Sequence, residues 1–163
     1  MTLFVQAFRL GAEPFFFKYA KQKDAPKVYA LILKYFVICG CVLLIGVCVF
    51  LEPLKELLIR NERYWIAIQI VPIVLLANLF FGIYHNLSVW YKITDRTQIG
   101  MYISVGGALS TIGLNVWLIP SIGFMGAAWA TLIAYGSMAC VSYVLGRRYY
   151  PIPYRVGRLL FYL

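Results

Sequence analysis

The stretch LNVWLIPSIGFMGAAWAT, residues 114–131, decides how this chain folds. It breaks an apolar run with Asn115, Pro120 and Gly123, then resumes with Gly126, Ala127, Ala130 and, further on, Ala134. No Asp, Glu, Lys or Arg occurs from residue 97 to residue 146. One straight helix of that length would reach on the order of 75 Å, against a hydrocarbon core of about 30 Å. The run therefore folds back on itself. The turn is placed at residues 119–123, because proline cannot continue the hydrogen-bond ladder and glycine takes dihedrals that other residues resist. Pro120 and Gly123 are expected to make the hairpin. The small residues that follow, at helical spacing, let another helix approach closely, so the second arm is expected to pack inside a bundle.

Composition agrees with a bilayer setting. The chain is 63% hydrophobic and 13% charged, whereas an ordinary soluble domain is about 25% charged. Two more charge-free stretches, 35–51 and 64–91, are candidates for membrane helices. The first is short, but Lys34 can lay its stem along lipid and keep its ammonium in water. The reading is an all-α integral membrane protein, a polytopic helix bundle with segments at about 2–17 (partial), 33–52, 64–91, 97–119 and 124–146, and the start of a further helix at 159–163. The incomplete segments at both ends make the chain look like a fragment of a longer protein. Arg9 and Glu13 interrupt the first apolar run, which lacks the basic start of a cleavable signal. Cys39, Cys41, Cys48 and Cys140 fall in predicted spans with no C-x-x-C pair and no flanking His, so they read as small buried residues rather than metal ligands.

The formal net charge is +9, yet the basic residues sit at membrane borders rather than along one face, which argues against a nucleic-acid partner. Lys18, Lys21, Lys23, Lys27 and Lys34 crowd the first connection, Lys92 and Arg96 the third, and Arg147, Arg148, Arg155 and Arg158 the fifth. The second balances its charges and the fourth has none. This alternation follows the positive-inside rule with the odd connections cytoplasmic, which puts the C-terminal side of the last complete helix in the cytoplasm. Trp65, Trp90, Tyr91, Tyr149 and Tyr150 read as an interfacial belt, and Trp117 and Trp129 equally well as core. The lysine loop could also touch anionic lipids, although topology already accounts for it.

With the helices placed, the opening stretch resembles the penultimate hairpin of Wzx-like polysaccharide flippases, which belong with MATE drug exporters and lipid II flippases to one superfamily. The resemblance rests on Asn115, Leu118-Ile119-Pro120, Gly123, Gly126-Ala127-Ala128 and Ala130-Thr131. The segment AFRLGAEPFFFKYAKQKDA (residues 7–25) is similar to the end of that family's eighth helix. The resemblance implies part of the C-terminal bundle of a MATE-like transporter fold, with the N-terminal bundle missing. It also implies alternating access that flips undecaprenyl-pyrophosphate-linked oligosaccharide across the bacterial cytoplasmic membrane, for O-antigen or similar polysaccharide synthesis. Partners would be membrane lipids and that substrate, with no cofactor beyond a coupling proton or Na+.

Charge inside a span costs about 2.5 to 3.5 kcal/mol on insertion scales, so Arg9 and Glu13 need a reason to be there. With Gln6 they lie at i, i+3 and i+7 on one helical face. Two readings stay open. In one, the face lines a central cavity where Arg9 attracts pyrophosphate and Glu13 steadies Arg9 or carries the coupling ion. In the other, Arg9 and Glu13 form an i,i+4 ion pair that serves only their own helix. His85, the sole histidine, shares a face with Asn78 and Gly82. A proton-linked role is conceivable for it, and a polar residue hydrogen-bonded to a neighbour is the preferred account. Gln6, Arg9, Glu13, Asn78 and His85 are thus the candidate substrate-binding residues. Ser104, Thr111 and Asn115 share a face assigned to helix packing.

Other function classes fit less well. A MATE-type exporter of small cations conflicts with a basic cavity. An enzyme would need a positioned acid or base and often a carboxylate pair, but Asp24 and Asp95 stand alone in connections and no D-x-D or H-E-x-x-H occurs. The chain therefore reads as a non-enzyme, and an assembly subunit of polysaccharide synthesis remains an alternative.

Overall fold

The computed structural model describes residues 1–20, 22, 24–53, 65 and 68–149. The expected helix start at 159–163 lies outside them, as do Lys21, Lys23, Tyr150, Arg155 and Arg158. Within them the chain forms α1 (Thr2–Tyr19), α2 (Ala25–Val49), α3 (Val71–Leu87), α4 (Val89–Ile93), α5 (Thr97–Ile122) and α6 (Phe124–Tyr149). Four stretches are long and apolar enough to cross a membrane: Ala25–Val49, Ile68–Ile93, Thr97–Ile122 and Phe124–Tyr149. The chain is an all-α polytopic membrane bundle.

Local sequence explains the helix ends. Pro26 and Pro72 occupy the first turns of α2 and α3, where the missing N–H has no partner to lose. The span expected at 33–52 instead begins at Ala25, since Lys27 is accommodated by pairing with Asp24 at 2.9 Å. Asp24 is therefore not alone. The span Ile68–Ile93 is interrupted at Ser88, whose hydroxyl donates to the His85 carbonyl at 2.6 Å. Asp95 takes the left-handed backbone (φ 54°) that turns α4 into α5.

The hairpin falls where the sequence predicted a turn, but proline does not make it. Helix α5 continues through Pro120 to Ile122, and Gly123 alone carries the reversal with φ 62° and ψ −142°. A proline in the last turn forfeits one backbone bond and still fits the helical φ, whereas the chain reversal needs a positive φ that only glycine takes without strain. A Cβ on Gly126 would stand 2.5 Å from the Leu118 carbonyl oxygen and 2.9 Å from the Ile119 nitrogen, so this small residue lets the two arms touch backbone to side.

Helix α3 is the centre. On one side Leu79 and Leu87 pack with Val5, Leu33, Phe36 and Val37 from α1 and α2. On the other, Tyr84 joins Trp90, Tyr91, Ile103, Met138 and Ala139 from α4, α5 and α6. A smaller cluster ties Phe16 of α1 to Ala25, Tyr29 and Val89, with the Tyr29 hydroxyl donating to the Phe16 carbonyl at 2.9 Å. As expected, α6 is an inner helix: it packs on both α3 and α5 and is the most buried of the four spans.

Two sets of side chains point the other way from expectation. Trp90 is fully buried, donating its indole N–H to the Ser142 carbonyl at 3.3 Å, and Tyr91 is buried beside it, so neither belongs to an interfacial belt. Of the two readings that fit Trp117 and Trp129 equally well in sequence, the structure favours the outer one, since both are exposed. Cys39 and Cys140 are exposed, and Cys41 and Cys48 half-buried. In lipid an outward-facing apolar side chain loses nothing, so hydrophobicity does not report which face is inside.

Candidate functional site

The charged residues of α1 meet the junction of α3 and α4. Glu13 sits at 3.5 Å (Oε1 to Nε) from Arg9, the i,i+4 pair seen in the sequence. The same oxygen accepts a hydrogen bond from Lys92 Nζ at 2.5 Å. Lys92 is half-buried, on α4, and was read from sequence as a topology signal only. Its signal was present: it follows His85 by seven residues, which places both on one helical face. The ion pair is therefore not confined to its own helix but joins α1 to α4.

Arg9 and Lys92 also border a groove of about 750 Å3 between α1 and α5, floored by α3, α4 and α6. His85 lines it, with the hydroxyl-bearing residues Tyr84, Ser88, Tyr91, Ser104 and Thr111. The hydroxyls are linked: Tyr91 donates to Tyr84 at 3.1 Å, and the Tyr84 and Ser104 oxygens lie 3.0 Å apart. Ser104 thus joins α5 to α3, as a helix-packing role expects, and Thr111 bonds the Gly107 carbonyl of its own helix at 2.8 Å. Asn115 lines neither this groove nor the small cavity described next. Two cations against one carboxylate leave the site net positive.

A second, small cavity lies behind the groove. Arg9, Glu13, His85 and Asn86 line it, among Val5, Phe36, Gly82 and Val89. The His85 ring packs edge-on against Phe81, with centroids 4.4 Å apart. Among the described residues the imidazole has no hydrogen-bond partner, contrary to the preferred sequence account of it.

Of the five candidates, the structure brings Arg9, Glu13 and His85 together and leaves out Gln6 and Asn78. Gln6 is exposed on α1, two turns or about 10.5 Å along the axis from Glu13. Asn78 spends its amide elsewhere, donating to the Val74 carbonyl at 2.8 Å and accepting from the Thr2 hydroxyl at 3.1 Å. Gln6 is only one turn from Arg9, so what separates it from the site is that its side chain is exposed and lines neither cavity, not its depth along the helix.

The hydroxyl chain gives one expectation. Tyr84→Phe removes both of its linkages and leaves the buried Tyr91 hydroxyl without this acceptor, costing about 1–3 kcal/mol. Thermal unfolding in detergent should show the loss. An unchanged midpoint would mean that water replaces Tyr84 at no cost.

Comparison with known protein families, curated proteins and solved structures finds no match to this chain.

Proposed function

We propose that the chain works within a helix bundle that moves an undecaprenyl-pyrophosphate-linked oligosaccharide across the bacterial cytoplasmic membrane by alternating access, as Wzx-like flippases do. The observation that carries the reading is the groove, where Arg9 and Lys92 stand beside several hydroxyl-bearing residues. Guanidinium and ammonium groups suit a pyrophosphate, hydroxyls suit a sugar, and an open apolar side suits a prenyl chain. The groove volume lies within the usual 300–1,000 Å3 or so of small-ligand sites. The hairpin resemblance adds support.

The same charges disfavour export of small cations, which a net-positive groove would repel. The border rich in Lys18, Lys92, Arg96, Arg147 and Arg148 is assigned to the cytoplasmic side by the positive-inside rule. A proton or Na+ is the coupling ion in this reading, and the bundle that completes the transport path is supplied from outside these residues.

Binding tests the proposal. In vesicles containing undecaprenyl pyrophosphate, Arg9→Gln and Lys92→Gln should each weaken binding about tenfold or more, since a hydrogen bond to a charged group contributes about 1.5–3 kcal/mol. Arg9→Lys should lose less than Arg9→Gln. Equal affinity in all three variants and the parent would remove the groove from substrate recognition.

A further inference from the structure

The small cavity behind the groove is built for a ligand of its own. Its volume is about 10 Å3, which is the space one water needs. Its wall holds four polar side chains from two helices: Arg9 and Glu13 of α1, His85 and Asn86 of α3. Asn86 is 6% exposed, donates its amide N–H to the Gly82 carbonyl at 3.1 Å, and has no partner for its Oδ1 among the described residues. Buried acceptors in folded proteins are paired, and although Val5, Phe8, Phe16 and Phe36 make much of the wall apolar, these four polar side chains offer a water in a cavity of this size the partners it needs.

We infer that one water molecule occupies this cavity, donating one hydrogen bond to Asn86 Oδ1 and one to the Glu13 carboxylate and accepting from an N–H of His85 or Arg9. The donor and acceptor inventory selects water over the alternatives. A phosphate or carboxylate is too large. A metal cation would find one carboxylate already shared by Arg9 and Lys92, and two positive charges beside it. Water, with two donors and two acceptors, fits a wall that offers both. It joins the imidazole, the amide and the carboxylate into one network spanning α1 and α3, and it gives Asn86 a purpose that neither the groove nor the helix supplies.

The inference stands apart from the transport proposal, because it concerns hydration and not substrate. Water-edited solid-state NMR of the full chain in lipid bilayers reads it, with the Asn86 side-chain amide assigned by its disappearance in Asn86→Leu. Asn86 is 6% exposed and lines the small cavity and not the open groove, so its side-chain amide reports on water held in that cavity. The expected result is magnetisation transfer from water to Asn86 in the parent protein, and loss of that transfer in Ala12→Val and in Val89→Ile. These variants add methyl groups to the cavity from different helices, so if one fails to fold the other decides. No transfer in the parent, or transfer that persists in a folded filling variant, overturns the inference.

Discussion

Gly126→Ala is expected to destabilise the bundle by about 1–3 kcal/mol, although alanine is the better helix former. The added methyl would stand 2.5 Å from the Leu118 carbonyl oxygen, 2.6 Å from its carbon and 2.9 Å from the Ile119 nitrogen. Backbone atoms of a neighbouring helix cannot rotate aside as a side-chain tip can, so the two arms must separate. Against this stands the gain from replacing a helical glycine, roughly 0.5–1 kcal/mol, which is too small to offset the clash. Gly136 is the internal comparison: it lies in the same helix with nothing within 4 Å of its Cβ position, so Gly136→Ala should gain that increment and lose nothing. Thermal unfolding of both variants in one detergent measures the contrast. If Gly126→Ala matched Gly136→Ala, the close approach of α5 and α6 would be wrong.

The second large effect concerns Glu13. Glu13→Leu leaves Arg9 and Lys92 facing each other without the carboxylate that both engage. Breaking a fully buried pair costs about 3–5 kcal/mol, but here the Glu13 and Lys92 side chains are each 31% exposed and Arg9 47%. Screening at that exposure reduces the expected loss to about 1–2 kcal/mol. Lys92→Leu on the same background should restore part of it, and a double-mutant cycle would then show positive coupling between α1 and α4. Additive losses would mean that the two residues do not meet. The milder Glu13→Gln should also raise the affinity of the site for pyrophosphate, because the internal carboxylate no longer competes for the two cations. A fall in pyrophosphate affinity would indicate that Glu13 acts by holding Arg9 in position rather than by competing for it.

Much of this architecture was legible before any coordinates. Membrane helices announce themselves through length and freedom from charge, because an unpaired polar backbone or a charge in hydrocarbon is costly whatever the neighbours are. The turn was found because no single helix fits the bilayer at that length. Arg9 and Glu13 were conspicuous for the same reason. Trp90, Tyr91 and the cysteines were misplaced between inside and outside because lipid is as apolar as a protein core, so the pattern that sorts faces in water is absent here. Gln6 and Asn78 were grouped with the site because angular position around a helix does not say what packs against that face: Gln6 is exposed and Asn78 pairs with Thr2 and Val74.

What the sequence determined by itself, then, is local and one-dimensional: an all-α bundle with four membrane-spanning stretches, a reversal within residues 119–123, and an unusual pair of charges on the first helix. Each follows from a cost that a short segment meets on its own. Only the tertiary structure decided that Glu13 also holds Lys92, that Tyr84 links Tyr91 to Ser104, and that Asn86, its side-chain oxygen unpaired among the described residues, lines a small cavity with Arg9 and Glu13. Those contacts join residues from different helices, and their formation depends on how α1, α3, α4 and α5 pack side by side. Periodicity along one helix carries no information about the identity or depth of its neighbour.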